Sequence, residues 1–98
     1  MNLLNIDELP PIDNEFFYTL LEKKNVKIKK IISNTLKTPQ TFIQKEDEFV
    51  VLLKGCAKIE INKEIKKLKA GDYLFIPANT PHTLLKTKNT AIWLAIYF

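Results

Sequence analysis

The sequence predicts an all-β domain in which short strands close into a barrel. Apolar and polar residues alternate with period two from Val26 onward, and turn-forming residues separate predicted strands that recur about every ten residues. Closure is expected because a sheet of many short strands would otherwise expose long unpaired edges. The 98 residues leave room for one core, so residues 1–98 are predicted to form a single domain.

The first 25 residues are predicted to be an N-terminal segment that ends in one short helix. Pro10 and Pro11 keep a helix out of the first residues, because proline lacks the backbone N–H. Asp13 or Asn14 can cap a helix over residues 15–24, which would pack on the sheet or on a partner subunit. Two pairs in this stretch have the i,i+4 spacing of an apolar helical stripe: Phe16 with Leu20, and Phe17 with Leu21.

The β-barrel is predicted to occupy residues 26–98. The alternation is broken at residues 30–32, where a β-bulge is expected. Gly55 is expected to end an apolar strand, and Asn62-Lys63 to form a hairpin turn. Seven or eight strands result, over roughly residues 26–32, 41–44, 48–54, 56–62, 65–68, 73–77, 82–87 and 90–97.

Composition argues against several classes of function. Cys56 is the only cysteine, so neither an internal disulfide nor a thiolate metal cluster can form. All 15 basic residues are lysines, whereas specific nucleic-acid readers favour the bidentate arginine fork, so we expect no nucleic-acid partner. No apolar run approaches the ~20 residues that cross a bilayer, and the N-terminus lacks a secretory pattern. We therefore expect a cytoplasmic protein without membrane association.

Two short patterns give the barrel a family resemblance. Six residues separate Glu48 from Gly55, five separate Gly71 from Pro77, and the second pattern continues as Ala78-Asn79-Thr80-Pro81-His82. Over residues from about 40 to 98, this ordered set resembles the two signature motifs of small single-domain bacterial proteins of the cupin superfamily. The resemblance implies a double-stranded β-helix, or jelly-roll, barrel with His82 pointing into it.

The resemblance also raises the question of a metal. Metal-binding cupins use two histidines separated by one residue, then a glutamate, then a histidine in the second motif. This chain has Phe42-Ile43-Gln44 in place of the first pair, so the candidate ligands are Gln44, Glu48 and His82. A neutral amide is a weak ligand, and zinc and iron sites normally have at least three good ones. We expect no cofactor, with a divalent metal at these three residues as the alternative.

A polar cluster in an apolar pocket is the predicted site. By strand parity, Gln44, Glu46 and Glu48 share a face. Glu48 and His82 are the candidate catalytic residues, because a carboxylate and an imidazole can exchange a proton, although the pair can equally be a structural contact between strands. The predicted lining is Phe42, Gln44, Glu48, Asn79, His82 and Trp93, with Val50, Phe75 and Leu84 as further apolar residues.

Three functional hypotheses follow. The one we favour is a small-molecule binding or sensing module of unassigned activity whose metal site is eroded. The first alternative is an enzyme: a metal-dependent dioxygenase or isomerase, or a metal-free acid–base catalyst, acting on a small sugar-like or organic acid substrate. The second is a structural interaction domain, if side chains plug the barrel. The small core also favours a homodimer.

Overall fold

The computed structural model describes all 98 residues and contains seven strands and no helix. The strands are β1 (Asn14–Lys23), β2 (Val26–Asn34), β3 (Gln40–Phe42), β4 (Glu48–Ile61), β5 (Glu64–Lys69), β6 (Tyr73–Ile76) and β7 (His82–Tyr97). They are ordered β1-β2-β7-β4-β5, with β3 paired to β7 and β6 paired to β4. The all-β prediction is confirmed. No helix long and apolar enough to cross a membrane is present.

The two longest strands, β4 and β7, pair along most of their length and change their outer partners partway. β4 pairs with β6 in its first half and with β5 in its second, while β7 pairs first with β3 and then with β2. Register shifts between Leu52 and Cys56, together with the positive φ of Gly55 (92°), bend β4 without ending it. The expected strand end at Gly55 and the expected division of β7 into two strands are therefore wrong.

The helix predicted over residues 15–24 is also wrong, because this segment forms β1 and pairs with β2. Lys24 and Asn25 form the two-residue turn between the two strands. The apolar spacing was ambiguous, since the same stretch contains four consecutive residues that favour strands: Phe16, Phe17, Tyr18 and Thr19. Hydrogen bonding to β2 decides the outcome, and the sheet begins at Asn14 rather than at Val26.

The second half of strand β2 is buried on both faces, which explains the broken alternation in its sequence. Ile31 belongs to the barrel core, whereas its neighbour Ile32 points to the opposite face and is also buried. On that outer face the Asn34 amide donates a hydrogen bond to the carbonyl of Pro10 (2.8 Å), so the N-terminal segment lies against β2 beside Ile32. The pairing of β2 with β7 has no register shift, and the bulge predicted at residues 30–32 is wrong.

Asp13 ties the start of β1 to the loop after β2 instead of capping a helix. Its carboxylate accepts hydrogen bonds from the backbone N–H groups of Lys37 (2.8 Å) and Thr38 (3.0 Å), and from the Thr38 hydroxyl (2.6 Å). These bonds, with the Thr38 hydroxyl as the largest cause, lower the pKa of Asp13 to about 2.

We expect the Asp13→Ala variant to unfold at a lower temperature than the native protein at pH 7, because three hydrogen bonds to the loop are lost. The folded-state pKa lies below the ordinary value of 3.8, so the ionised carboxylate stabilises the fold above that pH and ceases to do so as the pH falls towards about 2. Thermal unfolding followed by circular dichroism should show that the difference in unfolding temperature between the variant and the native protein narrows as the pH falls over this range. A difference that does not change with pH would contradict this role for Asp13.

The core of the barrel continues into the wall of a cavity. Thirteen buried apolar residues form the core cluster, and Leu52, Ala91 and Ala95 within it have no exposed surface. Six members of the cluster also line the cavity: Ile31, Val50, Ile59, Ile76, Leu84 and Trp93.

Candidate functional site

A cavity of about 70 Å³ lies within the barrel, and every strand except β5 contributes to its wall. Nine of its thirteen lining residues are hydrophobic. The four polar ones are Glu15, Gln44, Glu48 and His82, and no lysine is among the thirteen. A mostly apolar lining with a few convergent polar groups is typical of small-molecule sites, and a cavity of this volume suits a compound of a few heavy atoms rather than a drug-sized one.

Three polar side chains reach the cavity from the ends of elements. Glu48 is the first residue of β4, His82 is the first residue of β7, and Gln44 lies in the loop between β3 and β4. The backbone N–H of Asn79 donates to the Gln44 carbonyl (2.8 Å) and so holds this loop against the one that precedes β7. The His82 ring stacks on Phe42, with 5.9 Å between ring centroids.

Glu48 is the centre of this polar group. Its Oε1 accepts a hydrogen bond from Gln44 Nε2 (2.9 Å) and lies 3.5 Å from His82 Nε2. His82 Nδ1 lies 3.1 Å from the Thr80 carbonyl oxygen, and because a carbonyl only accepts, this contact assigns a proton to Nδ1. In a neutral imidazole protonated at Nδ1, the lone pair is on Nε2, the ring nitrogen that lies 3.5 Å from Glu48.

Burial controls the ionisation of this group. Glu48 is 5% exposed and His82 is 7% exposed. Burial raises the pKa of Glu48, and this effect outweighs the opposing effects of His82 and of the Gln44 hydrogen bond. Burial, followed by the charge of Glu48, also raises the pKa of Tyr97, so its phenol stays protonated at neutral pH.

A second polar chain reaches the same cavity from β1. Trp93 Nε1 donates to the hydroxyl of Ser33 (3.1 Å), which in turn donates to Glu15 Oε2. Burial raises the pKa of Glu15 above its ordinary value, and the Ser33 hydrogen bond opposes the shift. The other carboxyl oxygen, Oε1, is buried and has no hydrogen-bond partner.

Most of the residues predicted to line the pocket lie around this cavity. Asn79 does not line it: the residue is exposed, has a positive φ of 59°, and contributes only its backbone bond to Gln44. That these residues bind a ligand stays a prediction. The structure brings together Phe42, Gln44, Glu48, His82 and Trp93.

Sequence reasoning missed six lining residues. Three are aliphatic members of the core, Ile31, Ile59 and Ile76, and the other three are Glu15, Phe17 and Tyr97. A signal was present for Tyr97, since it follows Trp93 by four residues in the same strand and period two places both on one face. Glu15 and Phe17 were lost with the predicted helix. In a strand, the same period places those two side chains together on the inner face of β1.

Two residues expected on the inner face lie elsewhere. Phe75 pairs with Phe49, while the next residue, Ile76, pairs with Glu48. Because paired residues share a face, Ile76 points inward and Phe75 is half exposed. Glu46 is exposed because the chain between β3 and β4 is not a strand, so strand parity does not extend through it.

The three candidate metal ligands do not fit a transition-metal site. Gln44 directs its amide nitrogen, not its oxygen, at Glu48, and the nearest atoms of Glu48 and His82 contact each other. Two good donors remain, fewer than the three that zinc and iron sites require. Nowhere in the chain do three or more His, Cys, Asp or Glu side chains group so that they could hold a metal ion.

A comparison with models of known protein families gives a match, which extends over most of the barrel. A family model described as the cupin domain matches residues 35–97. A search of curated proteins found no match.

Solved structures show the same fold. One from Ralstonia eutropha JMP134, described as a "putative mannose-6-phosphate isomerase", is 32% identical, with 99% of this chain and 94% of that chain covered and a TM-score of 0.87. A cupin superfamily protein from Desulfitobacterium hafniense DCB-2 is 18% identical, with 91% and 81% covered and a TM-score of 0.74. A conserved protein of unknown function from Streptococcus pyogenes is 19% identical, with 98% and 91% covered and a TM-score of 0.72. The last two similarities show the fold alone.

Proposed function

Because the chain belongs to the cupin domain family, we propose that it is a small-molecule binding or sensing module whose ligand enters the barrel cavity beside Gln44, Glu48 and His82. The observation that carries this proposal is the nearly buried carboxyl group of Glu48 at the wall of a mostly apolar cavity. A barrel that served only as a packed scaffold would gain nothing from a carboxyl there, since burying a charged group is costly.

The polar group can recognise both donors and acceptors on a ligand. Glu48 accepts hydrogen bonds, and the protonated phenol of Tyr97 can donate one. Nε2 of His82, which lies 3.5 Å from Glu48, adds a second acceptor when the ring is neutral. The aromatic and aliphatic lining would bind the hydrocarbon part of the molecule.

A thermal-shift screen against sugars, organic acids and small amines tests the proposal. A ligand at 100 times its dissociation constant should stabilise the native protein by about 2.7 kcal/mol. The shift should be reduced in Glu48→Gln and unchanged in Glu46→Gln, whose carboxylate is exposed and outside the cavity. A screen without any shift, or shifts that survive in Glu48→Gln, would contradict a ligand site at Glu48.

We also propose that the module works without a resident metal, because Gln44, Glu48 and His82 supply only two good donors. Protein purified without a metal-affinity tag should contain far less than one transition-metal ion per chain by mass spectrometry. A stoichiometric metal that disappears in His82→Ala would overturn this part of the proposal.

A second candidate function is acid–base isomerisation. It is favoured by the proximity of a carboxyl group and an imidazole, Glu48 and His82, at 3.5 Å. It is also favoured by the similarity to the Ralstonia eutropha protein, which covers nearly the whole chain. Proton transfer at a carbon beside a carbonyl requires a base of this type. NMR spectroscopy of mannose 6-phosphate incubated with the protein tests it: turnover that is lost in Glu48→Gln would establish catalysis, and unchanged substrate would contradict it for this sugar phosphate.

A homodimer is a further part of the proposal. β1 is an edge strand, and it carries large apolar side chains that are 39–50% exposed: Phe17, Tyr18, Leu20 and Leu21. Light scattering during size-exclusion chromatography should give twice the chain mass of 11.4 kDa. A mass equal to one chain at micromolar concentration would contradict it.

A further inference from the structure

Glu15 is the one cavity residue whose hydrogen bonding is incomplete. Across the whole chain, its Oε1 is the only buried side-chain nitrogen or oxygen atom without a partner. Buried polar atoms in native proteins nearly always have one, so an exception at a cavity wall indicates a partner from outside the chain. Oε2 is already bonded to Ser33, which fixes the orientation of the carboxyl group.

The charges around the cavity define what that partner can be. Two carboxyl groups, Glu15 and Glu48, line it, and no lysine does. Lys29 lies outside the lining: its ammonium is 5.7 Å from the ring centroid of Tyr97, and its charge is the smallest of the effects that oppose the rise in the pKa of Glu48 on burial. His82 is already engaged with Glu48 and the Thr80 carbonyl. An anionic ligand would therefore meet two carboxyl groups and no lysine in the lining.

The apolar part of the wall also suits a cation. Four aromatic side chains line the cavity, and the negative faces of aromatic rings attract organic cations. Both carboxyl groups have a pKa raised by burial, so a positive charge beside them would offset the lost hydration of their ionised forms. The four are Phe17, Phe42, Trp93 and Tyr97.

We propose that the cavity binds a small organic ammonium compound, with an N–H of the ammonium group donating to Glu15 Oε1 and the hydrocarbon part against the aromatic wall. This inference rests on the proposed function, since it names the ligand class of the same cavity. It competes with the second candidate function, because the phosphate of a sugar phosphate needs basic partners and no lysine lines the cavity.

Three probes of equal length but different charge test the ligand class: n-butylammonium, 1-butanol and butyrate. Trp93 is the only tryptophan, and its indole N–H bonds to the Ser33 hydroxyl that contacts Glu15, so its NMR signal reports on this carboxyl group. We expect n-butylammonium to shift the signal saturably, with an affinity at least tenfold above that of 1-butanol, and butyrate to give no saturable shift.

The Glu15→Gln variant locates the interaction. It should bind n-butylammonium no better than 1-butanol, whereas Glu22→Gln should keep the native preference, because Glu22 lies exposed on the same strand and outside the cavity. Butyrate or butanol binding as well as the amine, or a Glu15→Gln variant that keeps the amine preference, would overturn the inference. The comparison of the three probes on native protein stands independently of the variant's folding.

The outcome also separates this inference from the proposed function. If sugars or organic acids stabilise the protein through Glu48 while none of the three probes shows charge preference, the ligand class is wrong and the binding module stands. If no compound of any class binds, the binding module itself is wrong.

Discussion

The Gly55→Ala variant is expected to lose about 3 kcal/mol of unfolding free energy, a large part of the 5–15 kcal/mol typical of a small domain. Gly55 has a φ of 92°, where a residue with a Cβ is strained. A Cβ there would lie 2.6 Å from the carbonyl oxygen of Thr90 and 3.0 Å from the Cα of Ala91. Both contacts are with the backbone of β7, so no side-chain rotation can relieve them.

Gly71 provides a matched control. Its φ of 97° is similar, but a Cβ at this position would meet nothing within 4 Å. Gly71→Ala should therefore show only the backbone strain, about 1 kcal/mol. Urea unfolding of the two variants and the native protein measures the loss of unfolding free energy in each variant. Equal losses in the two variants would mean that the close contact between β4 and β7 at Gly55 adds no cost to that of the backbone strain.

The same glycine shows why the fold could be predicted from the sequence. Gly55 and Gly71 have a positive φ that favours glycine, and Pro77 directly follows the end of β6, where no ladder hydrogen bond from its nitrogen is needed. Such constraints are visible in a single sequence at fixed separations. What the sequence did not show is that a glycine can bend a strand that continues, because that depends on the bulged pairing with β7.

No residue type of this kind marks the N-terminal strand β1 in the sequence, so the strand could not be predicted. The stretch that contains Phe16 and Leu20 satisfies the spacing of a helix, and its aromatic residues equally favour a strand. Only pairing with β2, and the covering of the outer face of β2 by the N-terminal segment, selects the strand. This error hid Glu15 and Phe17, the two lining residues that β1 supplies, whereas Glu48 and His82 could be found from their motifs.

The Glu48→Gln variant is expected to be more stable than the native protein at neutral pH, although it should bind ligand less well. Burial raises the pKa of Glu48 above its ordinary value of 4.5. A carboxyl group of this kind contributes stability fully below its unfolded pKa and loses that contribution as the pH rises through its folded pKa. Glutamine does not titrate, and its amide oxygen can still accept the hydrogen bond from Gln44.

The stability difference between Glu48→Gln and the native protein should therefore grow in favour of the variant as the pH rises. Between the unfolded and the folded pKa its slope can reach about 1.4 kcal/mol per pH unit. Urea unfolding at a series of pH values, with Glu46→Gln as the exposed control, measures that slope. His82 opposes the rise in the pKa of Glu48 that burial causes. If the stability advantage of the variant instead shrinks with rising pH, the attraction between ionised Glu48 and protonated His82 outweighs the cost of burying the carboxylate. A rising difference would show that the chain keeps a destabilising carboxyl group in its cavity, as expected of a residue retained for binding rather than for folding.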